Sequence, residues 1–165
     1  MYPSISTDRL LLRPFDLADA VEMFRLNADP EVMRYVPDAP FSTVKDALQF
    51  LEDYDAYQRY GFGRWAVLRR EDSCWLGWCG LRYSEAEDQV DLGFRFHRSY
   101  WGNGYATEAA KASLDWGFSE RQLQRIIGRT AAENLGSRRV LEKIGMQLVG
   151  TFSETDWSGV EYCII

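Results

Sequence analysis

Histidine occurs once, at His97, and cysteine three times, at Cys74, Cys79 and Cys163. The cysteines are odd in number and form no C-x-x-C pair, so neither a disulfide framework nor a zinc site built on His and Cys is expected. All three read instead as small apolar residues of a core. No apolar run approaches the roughly 20 residues that a membrane span requires. The opening Met1-Tyr2-Pro3-Ser4 lacks the basic head and apolar stretch of a secretory signal. These absences lead to the expectation of a cytoplasmic protein with no metal and no membrane partner. Internal repeats, low-complexity tracts and linkers are also missing, and 165 residues suit a single domain over 1–165.

Positive charge is in deficit, with a net charge of −6. That disfavours nucleic acid as a general partner, because phosphate binding needs a basic surface. An acidic balance suits an amine-bearing substrate, although it equally serves solubility. Apolar residues make up 46% of the chain, enough to exclude disorder.

Hydrophobic periodicity divides this material into elements. Leu10-Leu11-Leu12 reads as a strand stopped by Pro14, and Asp16 as the cap of a helix carrying Leu17, Ala20, Val21, Phe24 and Ala28. Ser42 is the expected cap of a second helix running from Thr43 to near Gly61. Its later half carries Tyr54, Tyr57 and Tyr60, which either cover a core edge or line a substrate pocket. Three strands follow over residues 64–70, 74–83 and 89–97; in the last, Val90, Leu92, Phe94 and Phe96 alternate with Asp91, Gly93 and Arg95. A helix over 105–119, a strand over 124–131, a helix capped by Asn134 and closed by Gly145, and two final strands complete the chain. The order predicts an α/β (α+β) fold, a mixed central sheet of about seven strands flanked by about four helices.

The chemistry concentrates in Trp101-Gly102-Asn103-Gly104-Tyr105-Ala106, between a strand and a helix. A helix N-terminus offers unpaired N–H groups and partial positive charge, and glycines let several amides converge on an anion with no Cβ in the way. Two nucleotide motifs do not fit. No G-x-x-x-x-G-K-[ST] run exists, and the third glycine of G-x-G-x-x-G is replaced by Thr107.

The run instead resembles motif A of the Gcn5-related N-acetyltransferases, R/Q-G-x-G-x-G/A, directly after a strand. Gly102, Asn103, Gly104, Tyr105 and Ala106 match in order, and Trp101 departs from the usual Arg or Gln. The surrounding Tyr100 to Ala109, the opening Thr7-Asp8-Arg9-Leu10-Leu11-Leu12-Arg13-Pro14 and the later Asn134 to Gly145 are similar to the branch that includes ribosomal-protein N-terminal (RimJ/RimL-type) acetyltransferases.

This resemblance implies an acetyl-CoA-dependent enzyme that acetylates a primary amine, on a protein N-terminus or a small molecule, by direct attack. It implies a pantetheine arm along Phe94, Arg95 and Phe96, a pyrophosphate on the amides of Trp101, Gly102, Asn103, Gly104, Tyr105, Ala106 and Thr107, and a contact from Asn134. Many members place a thiolate-protonating Tyr where this chain has Leu141; the branch points to Ser137 as thiolate partner instead. Asp91 is the favoured base, with Glu85, Glu87 and Glu108 as rivals. A non-catalytic acyl-CoA-binding or sensing module is the alternative, and monomer and homodimer both remain open.

Overall fold

The computed structural model describes residues 2–165. Its elements are β1 (Ile5–Ser6), β2 (Leu10–Arg13), α1 (Ala20–Ala28), α2 (Pro30–Met33), α3 (Val44–Glu52), α4 (Ala56–Tyr60), β3 (Arg64–Arg69), β4 (Trp75–Ser84), β5 (Gln89–Phe96), α5 (Tyr105–Glu120), β6 (Ile126–Thr130), α6 (Leu135–Lys143), β7 (Gln147–Ser153) and β8 (Ser158–Ile164). One sheet of eight strands runs in the order β1-β2-β3-β4-β5-β6-β8-β7. Every neighbouring pair is antiparallel except β5 and β6.

The sheet has one strand more than the sequence pattern predicts, because the segment before Pro14 folds back on itself. Ile5 pairs with Leu12 around a turn at residues 7–9. The second predicted helix is also divided. Chain direction changes at residues 53–55, leaving α3 and the short α4, which stops at Gly61 in a left-handed conformation with φ of 77°. Its cap is Thr43 rather than Ser42: the Thr43 hydroxyl accepts from the Asp46 amide, and the Asp46 carboxylate accepts from the Thr43 amide. Asp16 does cap the first helical turn, accepting from the Ala18 amide at 2.8 Å.

Both sheet faces are covered. On one, α5 and α6 pack over Trp65, Val67, Leu81, Val90, Leu92 and Ile126. Apart from Leu114, the buried stripe of α5 is small (Ala109, Ala110, Ser113, Gly117), so the helix axis lies close to the sheet. On the other, α1 and α3 cover Ala66, Trp75 and Trp78 at the β3–β4 end. Only Cys79 is a buried cysteine; Cys74 and Cys163 are half-buried, and all three are free. No helix among the described residues is long and apolar enough to cross a membrane.

Candidate active site

The glycine turn leaves β5 and enters α5. Gly102 and Gly104 both have φ of 79°, a region that side chains with a Cβ rarely adopt. Asn103 closes the turn by donating its side-chain amide to the carbonyls of Tyr100 and Trp101 at 3.0 and 3.2 Å. Six consecutive backbone amides, Gly102 to Thr107, donate to no protein acceptor among the described residues. A Cβ at Gly102 would meet nothing within 4 Å, so the space in front of the turn is open. Unpaired donors, open space and the positive end of a sixteen-residue helix together make a cradle for an anion.

Trp101, the departure from the family pattern, folds back onto the strand. Its indole N–H donates to the Phe96 carbonyl at 2.9 Å while half of the side chain stays exposed. A second brace comes from the other end of the chain. Arg9 donates to the Asn103 carbonyl at 3.0 Å and to Glu108 at 2.7 Å, and lies 4.5 Å above the Tyr105 ring. Thr7 adds a 2.6 Å bond to the same carboxylate.

Beside the cradle the sheet opens. β5 and β6 share one bridge, Asp91 to Ile127, and then part. β5 stays paired to β4 along its whole length, so beyond the bridge its other edge faces no strand from Gly93 to Phe96, where the Phe96 carbonyl is taken by the Trp101 indole. The His97 amide donates to Leu76 of β4 at 2.9 Å. Strand alternation therefore turns the backbone groups of Phe94 and Phe96 toward the gap, and those of Arg95 toward β4. This corrects Arg95 as an arm-binding residue. Its backbone serves the sheet, and its side chain crosses to the face opposite α5, where it meets Asn27 at 2.6 Å and Asp38 at 3.0 Å.

On the β6 side of the gap, Asn134 caps α6 by accepting from the Ser137 amide at 3.2 Å. The cap uses the side-chain oxygen and leaves the NH2 group free to donate. Ser137 is half-buried in the first turn of α6. Leu141 is buried beneath it against Gly128, so the family's tyrosine position here belongs to the core. Arg138 is committed to the Tyr162 hydroxyl and the Ala132 carbonyl.

The proposed bases are all engaged. Asp91 is clamped by Arg64 at 2.6 Å and Arg82 at 2.9 Å. Burial pushes its carboxyl up, but the two guanidinium charges outweigh this and hold it below the ordinary aspartate range. A carboxylate with both oxygens paired and its proton affinity depressed is a poor base, and the geometry speaks against Asp91 in that role. Glu108 fares no better. Burial raises its carboxyl, and the bonds from Thr7 and Arg9 bring the net below the ordinary glutamate value. Glu85 binds Arg59 and Tyr60, and Glu87 binds Arg129. Arg64 and Arg82, absent from the sequence reading, carried no motif to mark them. The one local signal was Gly93, whose missing Cβ leaves the space that the Arg64 guanidinium fills.

Residues 9–147 match the acetyltransferase (GNAT) domain family. The chain belongs to the GNAT family. It is an acetyl-CoA-dependent N-acetyltransferase. The GNAT chain is 35% identical over 158 residues to the uncharacterized N-acetyltransferase YnaD of Bacillus subtilis, covering 96% of this chain and 91% of that one. It superposes on a GNAT-family acetyltransferase from Bacillus anthracis with a TM-score of 0.86 and 31% identity, covering 99% and 98% of the two chains. Its fold is also that of RimL, a ribosomal-protein alpha-N-acetyltransferase solved in complex with coenzyme A, with a TM-score of 0.84 at 14% identity and coverage of 99% and 98%.

Proposed function

We propose that this GNAT enzyme binds acetyl-CoA across the cradle and the β5–β6 gap and transfers the acetyl group to a primary amine, on a peptide N-terminus or a small molecule, by direct attack. The observation that carries this reading is the adjacency of six unpaired amides to a bare strand edge. The fit is good for a long polyanionic ligand. Gly102 to Thr107 would hold the pyrophosphate, the Phe94 backbone and the Phe96 N–H would pair with the amide-rich arm, and the Asn134 NH2 would reach it from the other wall. RimL, of the same fold, holds coenzyme A.

Acetyl-CoA supplies an activated acyl group and a thiolate leaving group. The chain's own residues do the rest. The Phe94 N–H, turned into the gap, is placed to donate to the carbonyl oxygen as negative charge develops there. Ser137, whose hydroxyl makes no protein hydrogen bond among the described residues, would donate to the departing sulfur. The acceptor must arrive neutral. At pH 7 an α-amine with a pKa of about 8 is roughly 10% neutral, against about 0.04% for a lysine-type amine near 10.4. With Asp91, Glu85, Glu87 and Glu108 all paired, the low-pKa amine is the better acceptor, its proton leaving through water.

The test is a thermal shift followed by an acceptor panel. At a hundredfold excess over Kd, acetyl-CoA stabilises by about 2.7 kcal/mol, which for a chain of this size is a rise of about 5–11 °C. NAD and ATP leave the melting temperature unchanged. Thiol release with peptides, polyamines and aminoglycosides then identifies the acceptor. A shift without thiol release from any amine would favour the binding-module alternative.

A further inference from the structure

We infer that Arg95, with Asn27, forms a subsite for a carboxylate of the acceptor, and that Asp38 occupies this subsite when no acceptor is bound. This inference rests on the acetyl-transfer reading and names the acceptor's chemistry more closely: an amine that also carries a carboxylate.

Arg95 stands between Phe94 and Phe96 on the bare stretch of β5, with its side chain on the face opposite α5. The cradle lies at the start of α5, so the face that Arg95 occupies is the one left for the acceptor. Its guanidinium stacks 5.2 Å from the Trp78 ring, and only 10% of the side chain is exposed. A buried cation needs an anionic partner, and among the described residues Arg95 has one, Asp38. The neighbouring carboxylate, Asp91, is already shared by Arg64 and Arg82 and so offers Arg95 no partner.

Asp38 is an incomplete partner. A carboxylate fits the edge of an arginine side-on, taking the Nε and Nη2 protons together. Asp38 takes only Nη2, at 3.0 Å, and Nη1 goes to Asn27 at 2.6 Å. The Nε–H is buried with no acceptor among the described residues. Leaving such a donor unserved is costly, and a ligand carboxylate free to align with the edge would satisfy both protons.

The segment that carries Asp38 is built to give way. Among the described residues, 37–42 make no backbone–backbone hydrogen bond, and Pro37 and Pro40 have no N–H to offer. Asp38 itself is 65% exposed. The segment is otherwise held by Phe41, whose ring lies 5.8 Å from that of Phe50. Exchanging Asp38 for an incoming carboxylate therefore breaks one ion pair at the surface and forms a two-pronged one beneath it.

The experiment uses matched acceptor pairs at fixed acetyl-CoA: a free amino acid and its carboxamide, and a dipeptide bearing Asp and its Asn counterpart. The two pairs distinguish a backbone carboxylate from a side-chain one. The wild type is expected to favour the carboxylate member of at least one pair in kcat/KM. Asp38→Asn should lower KM for that member about fivefold or more and raise the preference at least threefold. Arg95→Gln should abolish the preference. In the protein without acetyl-CoA, the carboxylate member should raise the melting temperature more than its amide, and Asp38→Asn should enlarge that difference. Because Arg95 is buried and its variants can fail to fold, the exposed Asp38→Asn variant carries the test by itself. Acetylation of both members at equal efficiency, unchanged by Asp38→Asn, overturns the subsite and leaves acetyl transfer standing. No acetylation of any amine overturns the transfer reading and the subsite with it.

Discussion

Replacing Gly102 by alanine tests whether backbone conformation, rather than space, makes the cofactor cradle. The new Cβ meets no protein atom within 4 Å, so steric conflict inside the protein is excluded. What remains is the conformation itself, φ of 79°, which costs a residue with a Cβ about 1–2 kcal/mol. That cost must appear somewhere. If the turn keeps its shape, the ligand-free protein loses 1–2 kcal/mol of stability, roughly 2–8 °C in Tm at this chain length. If the turn relaxes, stability is kept, but the amides swing out of convergence and the strain must be restored on binding, weakening coenzyme A by about 5- to 30-fold. The turn is exposed and held chiefly by Asn103 and Arg9, so relaxation is the expected course. Calorimetric titration with coenzyme A, together with the melting temperature of the free protein, measures both shares. Gly102→Asn provides the control, since asparagine tolerates this region better and should lose less. Unchanged affinity and unchanged Tm in Gly102→Ala would refute the reasoning.

Two further outcomes are expected. On the proposed mechanism Ser137→Ala removes a donor to a charged sulfur, worth about 1.5–3 kcal/mol, so kcat should fall by about 10- to 160-fold while coenzyme A affinity changes little; steady-state kinetics with a calorimetric Kd separates the two. Asp91 titrates below its ordinary value of 3.8 when folded, so its contribution to stability is complete above that pH and disappears as pH falls through the lower folded value. Asp91→Asn should therefore be less stable than the wild type at neutral pH, with the difference closing in acid; a constant difference across the thermal melting series would contradict the Arg64–Asp91–Arg82 clamp.

The strand alternation of residues 89–97, the small-residue stripe of α5 and the caps at Asp16 and Asn134 were all legible, because each depends on neighbours within one or two turns. The misreadings share a cause. The reversal at residues 7–9, where Ser6-Thr7-Asp8 is turn-like, and the break at 53–55 depend on where the flanking segments pack, and neither place carries Gly or Pro. Asp91 read as a base because a carboxylate opposite the apolar side of a central strand has no visible partner, yet its partners come from β3 and β4. The order of residues along β5 places Arg95 on the arm, and only the pairing with β4 sets which way its backbone faces.

By itself, the sequence determined the glycine turn and its unpaired amides. A glycine's access to positive φ and a helix's unpaired first amides are properties of the local chain, present wherever Trp101 to Thr107 is placed. The tertiary structure decided the rest. Glu108 meets Arg9 across 99 positions, Arg95 meets Asp38 across 57, and Asp91 meets Arg64 across 27. Whether a carboxylate is a base or half of an ion pair depends on the charge a few ångströms away, and only folding brings that charge there.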